Sequence, residues 1–442
     1  MKRNYLRSFG IRLGNSVFES FFLMALLVSA VLEQAQEKKP NIVVIFGDDI
    51  GMWNLGIYTH GMMGRTPNID SIGRQGILFT DHYGQPSCTA GRAAFIMGQL
   101  PVRTGETTVG IPGSTRGIQK EDPTLAEVLK SLGYATGQFG KNHLGDRNEF
   151  LPTVHGFDEW FGNLYHLNAE EEPDELDYPG QKNPAYKEKF GPRGVLHTWA
   201  TDTDDPTTDP KFGRVGKQKI QDTGPLNRKR METIDREVTD ETLQWMDKAG
   251  KSGKPFFLWY NSTAIHIWSH PNPKYVQMAV DEGRAEEDVV RARMLEHDDL
   301  VGDILKKLDE LGVTDNTIVV YTTDNGNEFM FWPDGGYAPF RGEKGTTWEG
   351  GLRVPCLIRW PGHIKPGTEA NGIQSHEDLF VSLAAAGAAT CDLTTGRHWC
   401  HSRASCRSMN AVLPGNGCAT RSRDKHMRTG HEARITPGPW KS

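Results

Sequence analysis

Two pairs of oxygen-bearing side chains in this chain of 442 residues each follow an apolar run. Asp48 and Asp49 come after N-I-V-V-I-F-G (Asn41 to Gly47), and Asp324 and Asn325 come after T-I-V-V-Y-T (Thr317 to Thr322). Runs of this type suit strands buried on both faces of a parallel sheet. Ligands bind such sheets beyond the carboxyl ends of the strands. Adjacent strands would bring these four oxygen-bearing side chains together. Oxygen ligands without His or Cys suit a hard divalent cation, Ca2+ or Mg2+. Taken alone, D-D or D-N-G is more often a turn or a helix cap. Both pairs at strand ends, with Gly326 directly after the second, favour the metal.

Cys88 opens the run C-T-A-G-R, followed by A-A-F-I-M, a pattern of a loop entering a helix. A cysteine at a helix N-terminus has a stabilised anionic form. Arg92, one turn on, has the geometry to meet an anionic substrate in a bidentate manner. The same run also fits a packed free thiol at a helix start. Isolated basic residues follow other strands: Lys141 and His143 in G-K-N-H-L-G, and His266 in S-T-A-I-H. Lys344 lies in the Gly-rich stretch F-R-G-E-K-G-T-T-W-E-G-G. Singly these are surface groups; together with a metal and a nucleophile they describe an anion-binding hydrolytic centre. Asn261, Ser262 and Thr263 form a glycosylation sequon, but their place after a buried strand near His266 disfavours a glycan.

The elements that must position these groups alternate. Helical spacing is expected over Pro123–Leu132, Val238–Ala249, Glu286–Leu311 and Ser375–Ala386. Strands are expected over Tyr134–Phe139, Pro255–Tyr260, Thr317–Thr322 and Pro355–Trp360. This alternation indicates an α/β fold with a mostly parallel central sheet flanked by helices. The segment from Asn168 to Asn227 is rich in Pro, Asp, Glu, Gly and Lys, and is expected to be a long surface excursion over the sheet edge. Within it, Glu170, Glu171 and Glu172 are expected to form a solvated face.

Net charge is −6, which gives no electrostatic support for a nucleic-acid partner. Lys2, Arg3, Arg7 and Arg12 precede an apolar run from Phe21 to Leu32 that is short for a bilayer span. Residues 1–37 are therefore expected to be a secretory signal and leader, with an uncleaved anchor as the alternative, and the folded part periplasmic or secreted. Residues 38–390 are expected to form the catalytic domain. From 391 to 442 the pattern collapses into a basic, Cys-rich stretch with nine Lys/Arg against three Asp/Glu, not expected to be a native domain. Only Cys88 and Cys356 lie before it, so the body is not expected to depend on disulfides.

From about Pro40 to about Gly387 the chain resembles the type I sulfatases of the arylsulfatase group, within the alkaline-phosphatase-like superfamily. C-T-A-G-R resembles the family signature C-x-(P/A)-x-R, G-K-N-H-L-G resembles its second signature, and D-D, D-N-G and G-E-K-G-T-T-W-E-G-G fall in the family's order. The resemblance implies hydrolysis of sulfate esters, on a sulfated small molecule or glycan. It implies that a formylglycine-generating maturation enzyme converts Cys88 to Cα-formylglycine, whose hydrate supplies the attacking oxygen. Asp48, Asp49, Asp324, Asn325 and the modified residue 88 would hold Ca2+, with Mg2+ as the alternative. Arg92 and Lys141 would secure the hydrate and metal side, His143 would act as a base, and His266 and Lys344 would bind sulfate and support the departing oxygen. Ala90 and Gly91 stand where the family commonly has Pro and Ser, and the glycine is expected to change little. Asn142 stands where Trp is common. The small C-terminal domain usual in the family has no counterpart in the sequence after Gly387. A phosphodiesterase or phosphonate monoester hydrolase of the same fold is the rival reading.

Overall fold

The computed structural model describes residues 38–331, 335, 336 and 339–388. The expected leader and the basic tail lie outside the described residues. In chain order the strands are β1 (Asn41–Gly47), β2 (Ile77–Tyr83), β3 (Ala135–Gly140), β4 (Glu159–Gly162), β5 (Leu196–Asp209), β6 (Gly213–Asp222), β7 (Phe256–Asn261), β8 (Thr317–Thr323), β9 (Arg353–Arg359), β10 (Thr368–Ala370) and β11 (Gln374–Ser375). They form one sheet in the order β10-β2-β9-β8-β1-β7-β3-β4-β5-β6, with β11 beside β2. The centre, β8-β1-β7-β3-β4, is parallel throughout. On one side β9 runs antiparallel to β8 and β2, and on the other β5 and β6 extend the sheet antiparallel.

The principal helices are α1 (Pro67–Arg74), α2 (Cys88–Met97), α3 (Leu125–Ser131), α4 (Ile234–Lys251), α5 (Val289–Glu310) and α6 (His376–Ala388). Successive side chains of a strand point to opposite faces. Val43, Ile45, Leu258, Tyr260, Val319 and Tyr321 therefore pack one way, into a core shared with α1, α4 and α5. Ile42, Val44, Phe46, Phe257, Trp259, Ile318 and Val320 pack the other way, into a core shared with α2, α3 and α6. Two covered faces explain why the central strands are apolar without alternation. The start of α3 is fixed by a capping box: Thr124 Oγ1 accepts from the amide of Glu127 at 3.0 Å, and the Glu127 carboxylate accepts from the amide of Thr124 at 2.8 Å. No helix among the described residues is long and apolar enough to cross a membrane.

The expected α/β architecture is found. The segment from 168 to 227 differs from expectation: much of it is the β5–β6 hairpin, bonded through β4 to the main sheet. Its outer half is charged and exposed, the composition of a protected sheet edge, which hides the strand signal. The expected acidic face is also corrected. Glu170 and Glu171 are each only 4% exposed. Glu171 pairs with Arg228 and accepts from His270 Nε2 at 2.8 Å. Glu170 is buried with no ion-pair partner among the described residues, and burial pushes its carboxyl well above the usual range.

Candidate active site

The parallel register of β1 and β8 sets Gly47 opposite Thr323, so the next residues of both strands leave the sheet side by side. Asp48, Asp49, Asp324 and Asn325 are all fully buried there. The Asp49 amide donates to Asp324 Oδ1 at 3.3 Å, and Asn325 Nδ2 donates to Asp49 Oδ1 at 2.8 Å. Asp49 holds a left-handed backbone, φ 62°, and His143 does the same at φ 60°. Side chains other than glycine take up this conformation at a cost and concentrate at functional sites.

Cations surround the carboxylates. Lys141, just past β3, places Nζ 2.5 Å from Asp48 Oδ2. That approach needs Gly140, where a Cβ would lie 1.8 Å from the carbonyl oxygen of Asn261. Arg92 of α2 sits 2.8 Å from Asp324 Oδ2, donates to Asn261 Oδ1 at 2.8 Å and to the carbonyl of Lys141 at 3.1 Å. Its spacing suggested a group for an anionic substrate; instead its guanidinium is fully buried behind the carboxylates and occupied by them. Lys344 reaches in from its Gly-rich loop, 2.7 Å from Asp49 Oδ2 and 3.0 Å from His266 Nε2.

Cys88 is the first residue of α2 and is fully buried. A ligand atom of Cys88, one of Asp48 and one of His266 all lie within 4.8 Å of one another. Gly91, one turn along, lies against β8: a Cβ there would approach the Asp324 carbonyl oxygen to 1.9 Å. A serine at this position would thus require the strand end to move, so Gly91 is not the neutral replacement expected from the signature. Cys88 and Cys356 are both free.

The imidazoles are fixed by their neighbours. His143 Nε2 donates to the carbonyl of Gly110 at 2.9 Å, which leaves Nδ1 as the acceptor nitrogen, buried and with no hydrogen-bond partner among the described residues. Burial, then Lys141, hold its pKa well below that of a free histidine. His266 donates from Nδ1 to the carbonyl of Ile267 and offers Nε2 to Lys344. Burial and Lys344 lower its pKa as well. Burial would raise the Asp49 carboxyl, but Lys344, with His266, outweighs it and holds Asp49 ionised below the usual value. For Lys344 burial acts downward and Asp49 upward, and the pair keeps the ammonium charged.

The donor set fits a divalent cation. Asp48 Oδ1 and Asn325 Oδ1 are buried with no hydrogen-bond partner among the described residues, and Asp48, Asp49 and Asp324 each offer an oxygen within 4.8 Å of the others. Buried, unsatisfied oxygens of this kind are costly unless an ion or donor meets them. Two residues at the site had no role assigned to them from the sequence. Asn261 holds Arg92 as described, and His166 lies with its ring stacked on His266 (5.5 Å between centroids, 13°) and edge-on to His143 at 5.6 Å. His166 follows β4, as Lys141 and His143 follow β3 and His266 follows β7. Strand β4, E-W-F-G, is too short to stand out.

Residues 40–388 match the sulfatase family model. The chain belongs to the sulfatase family. The resemblance drawn from the motifs is thereby borne out, as is the alkaline-phosphatase-like fold. This sulfatase-family chain is 33% identical to the N-acetylgalactosamine-6-sulfatase of Mus musculus over 380 residues, 83% of this chain and 66% of that relative. It is 34% identical to arylsulfatase A of Homo sapiens over 366 residues, 82% of this chain and 66% of that relative. The chain thus spans just under two thirds of the length of these curated relatives. Among solved structures it superposes on the PsFucS1 sulfatase from Pseudoalteromonas sp. with a TM-score of 0.68 and 31% identity, covering 81% of this chain and 69% of that one.

Proposed function

We propose that this protein hydrolyses sulfate esters, releasing inorganic sulfate and an alcohol or phenol. The observation that carries this reading is the convergence of Asp48, Asp49, Asp324 and Asn325 with Cys88, Arg92, Lys141, His143, His266 and Lys344 beyond the carboxyl ends of the central strands, in a chain of the sulfatase family. On this reading a maturation enzyme would oxidise Cys88, with an external oxidant, to an aldehyde, and its hydrate would supply the attacking oxygen. Asp48, Asp49, Asp324 and Asn325 would hold Ca2+, or Mg2+, together with residue 88. The cation, when bound, offsets negative charge on the sulfuryl oxygens and lowers the pKa of a coordinated hydroxyl.

The remaining work falls to the chain's own side chains. Arg92 and Lys141 neutralise Asp324 and Asp48 from behind and fix the carboxylates toward the metal position. Unpartnered Nδ1 makes neutral His143 able to accept a proton. Lys344 and His266 lie side by side and present positive charge and a hydrogen-bonding ring to the sulfate and the departing oxygen. The substrate class is a sulfated small molecule or a sulfated glycan, in keeping with the names of the relatives, N-acetylgalactosamine-6-sulfatase and arylsulfatase A. We further propose export, on the basic start and the apolar run Phe21 to Leu32. The test is a comparison of rates on an aryl sulfate and an aryl phosphate diester, each with and without a chelator. Faster, chelator-sensitive release from the sulfate supports the reading; preference for the phosphate diester supports the rival.

A further inference from the structure

The sequon run Asn261-Ser262-Thr263 is completely buried, and its polar groups are bonded inside the protein. Asn261 Oδ1 accepts from Arg92, and the Asn261 carbonyl accepts from the Lys141 amide at 3.0 Å. The next two residues turn to the opposite side. Ser262 Oγ, Thr263 Oγ1 and the Thr263 amide all donate to Asp235, at 3.1, 3.0 and 2.9 Å. Asp235 stands in the first turn of α4 and is held by Arg293 of α5, which also donates to Thr263 Oγ1 at 3.1 Å and pairs with Glu296 at 2.5 Å. Every member of this cluster is buried.

The loop thus anchored ends in the proposed centre. The Thr263 carbonyl accepts from the His266 amide at 3.0 Å. The Ala264 carbonyl accepts from the Asp48 amide at 2.7 Å, and the Ile265 amide donates to the Asp48 carbonyl at 2.6 Å. One rigid loop therefore sets both His266 and the backbone of Asp48. Asp235 and Arg293 have no hydrogen bond to either residue. A buried ion cluster adds little to stability compared with apolar packing of the same volume. A carboxylate accepting from three groups of one short loop does, however, restrict that loop to a single geometry.

We propose that Asp235, held by Arg293, is a positioning residue of the active site: through Thr263 it fixes the Ser262–His266 loop and so places His266 against the departing oxygen of the ester. This rests on the sulfatase reading above. The test measures kcat/KM of the mature protein on 4-nitrophenyl sulfate and on phenyl sulfate, whose leaving oxygen needs more assistance. In Thr263→Val, which keeps shape and loses the hydroxyl, and in Asp235→Asn, the rate on phenyl sulfate should fall at least about tenfold more than that on the nitrophenyl ester. Thr263→Ser should bring the ratio back toward the wild-type value. A purely structural brace would lower the active fraction, and hence both rates, by one factor. An unchanged ratio in folded Thr263→Val therefore overturns the inference, and this variant decides the matter if Asp235→Asn does not fold. Wild-type protein inactive on both esters would overturn the sulfatase reading, and the inference with it.

Discussion

The ammonium of Lys344 lies 2.7 Å from Oδ2 of Asp49, joining the Gly-rich loop to the end of the first strand. Within hydrogen-bond reach of the same ammonium is His266 Nε2. Asp49, Lys344 and His266 thus form one charged unit at the mouth of the carboxylate cluster. Lys344→Met should leave the fold in place and lower kcat on an aryl sulfate by about 10²–10³, the scale of losing one preorganised charge in an active site. Lys344→Arg should recover part of it. Steady-state kinetics of the two variants, with circular dichroism to verify folding, provide the check.

Arg92 and Asp324 are both fully buried, 2.8 Å apart. Removing one member of such a pair strands the other charge in the interior. Arg92→Ala should cost about 3–5 kcal/mol in denaturant unfolding. The pair Arg214–Asp204 provides the contrast, because both side chains are about half exposed. Arg214→Ala should change stability by no more than about 1 kcal/mol.

Ca2+ bound by Asp48, Asp49, Asp324 and Asn325 should raise the melting temperature, since it binds the folded state. At a hundredfold excess over Kd the gain is about 2.7 kcal/mol. Asp324→Ala should abolish the Ca2+-dependent shift in a thermal melt, whereas a surface change such as Asp240→Ala should retain it. A shift of equal size in Asp324→Ala would place the ion elsewhere.

His297 of α5 is fully buried against Tyr321, 3.1 Å from its hydroxyl, and burial lowers its pKa to about 4 from 6.5. Between these values the unfolded chain binds a proton that the folded chain does not. Its contribution is therefore complete above about pH 6.5 and is lost as pH falls toward about 4, amounting to about 3 kcal/mol. Urea unfolding at several pH values across this window should show that slope. In His297→Gln, which keeps a hydrogen-bonding group near Tyr321, the slope should be shallower by that amount.

The chemistry was legible where it sits at strand ends. Asp48, Asp49, Asp324 and Asn325 follow apolar runs that only a doubly covered strand explains, and the parallel register of β1 and β8 makes them neighbours. β1 spans the residues expected of it, whereas β3, β7, β8 and β9 differ from expectation by one or two residues at their ends, as hydrogen bonding rather than composition sets them. What stayed hidden depends on contacts distant in sequence. Asp235 has the look of an ordinary acidic residue in a helix's first turn, and only the fold brings it to Thr263. Gly91 resembles a small spacer until α2 is laid against the Asp324 carbonyl. Glu170 and Glu171 look solvated because charge normally is, yet both are buried, Glu171 against Arg228 and His270. The hairpin β5–β6 was obscured by its own edge-protecting charges.

The central claim is that residue 88 acts as the nucleophile-bearing group of a sulfate ester hydrolase. It is tested most directly by mass spectrometry of the peptide containing residue 88, taken from protein that releases a chromogenic phenol from its sulfate ester. The predicted result is an aldehyde in place of the thiol, with phenol release suppressed by a chelator. An unmodified cysteine at position 88 in fully active protein would contradict it.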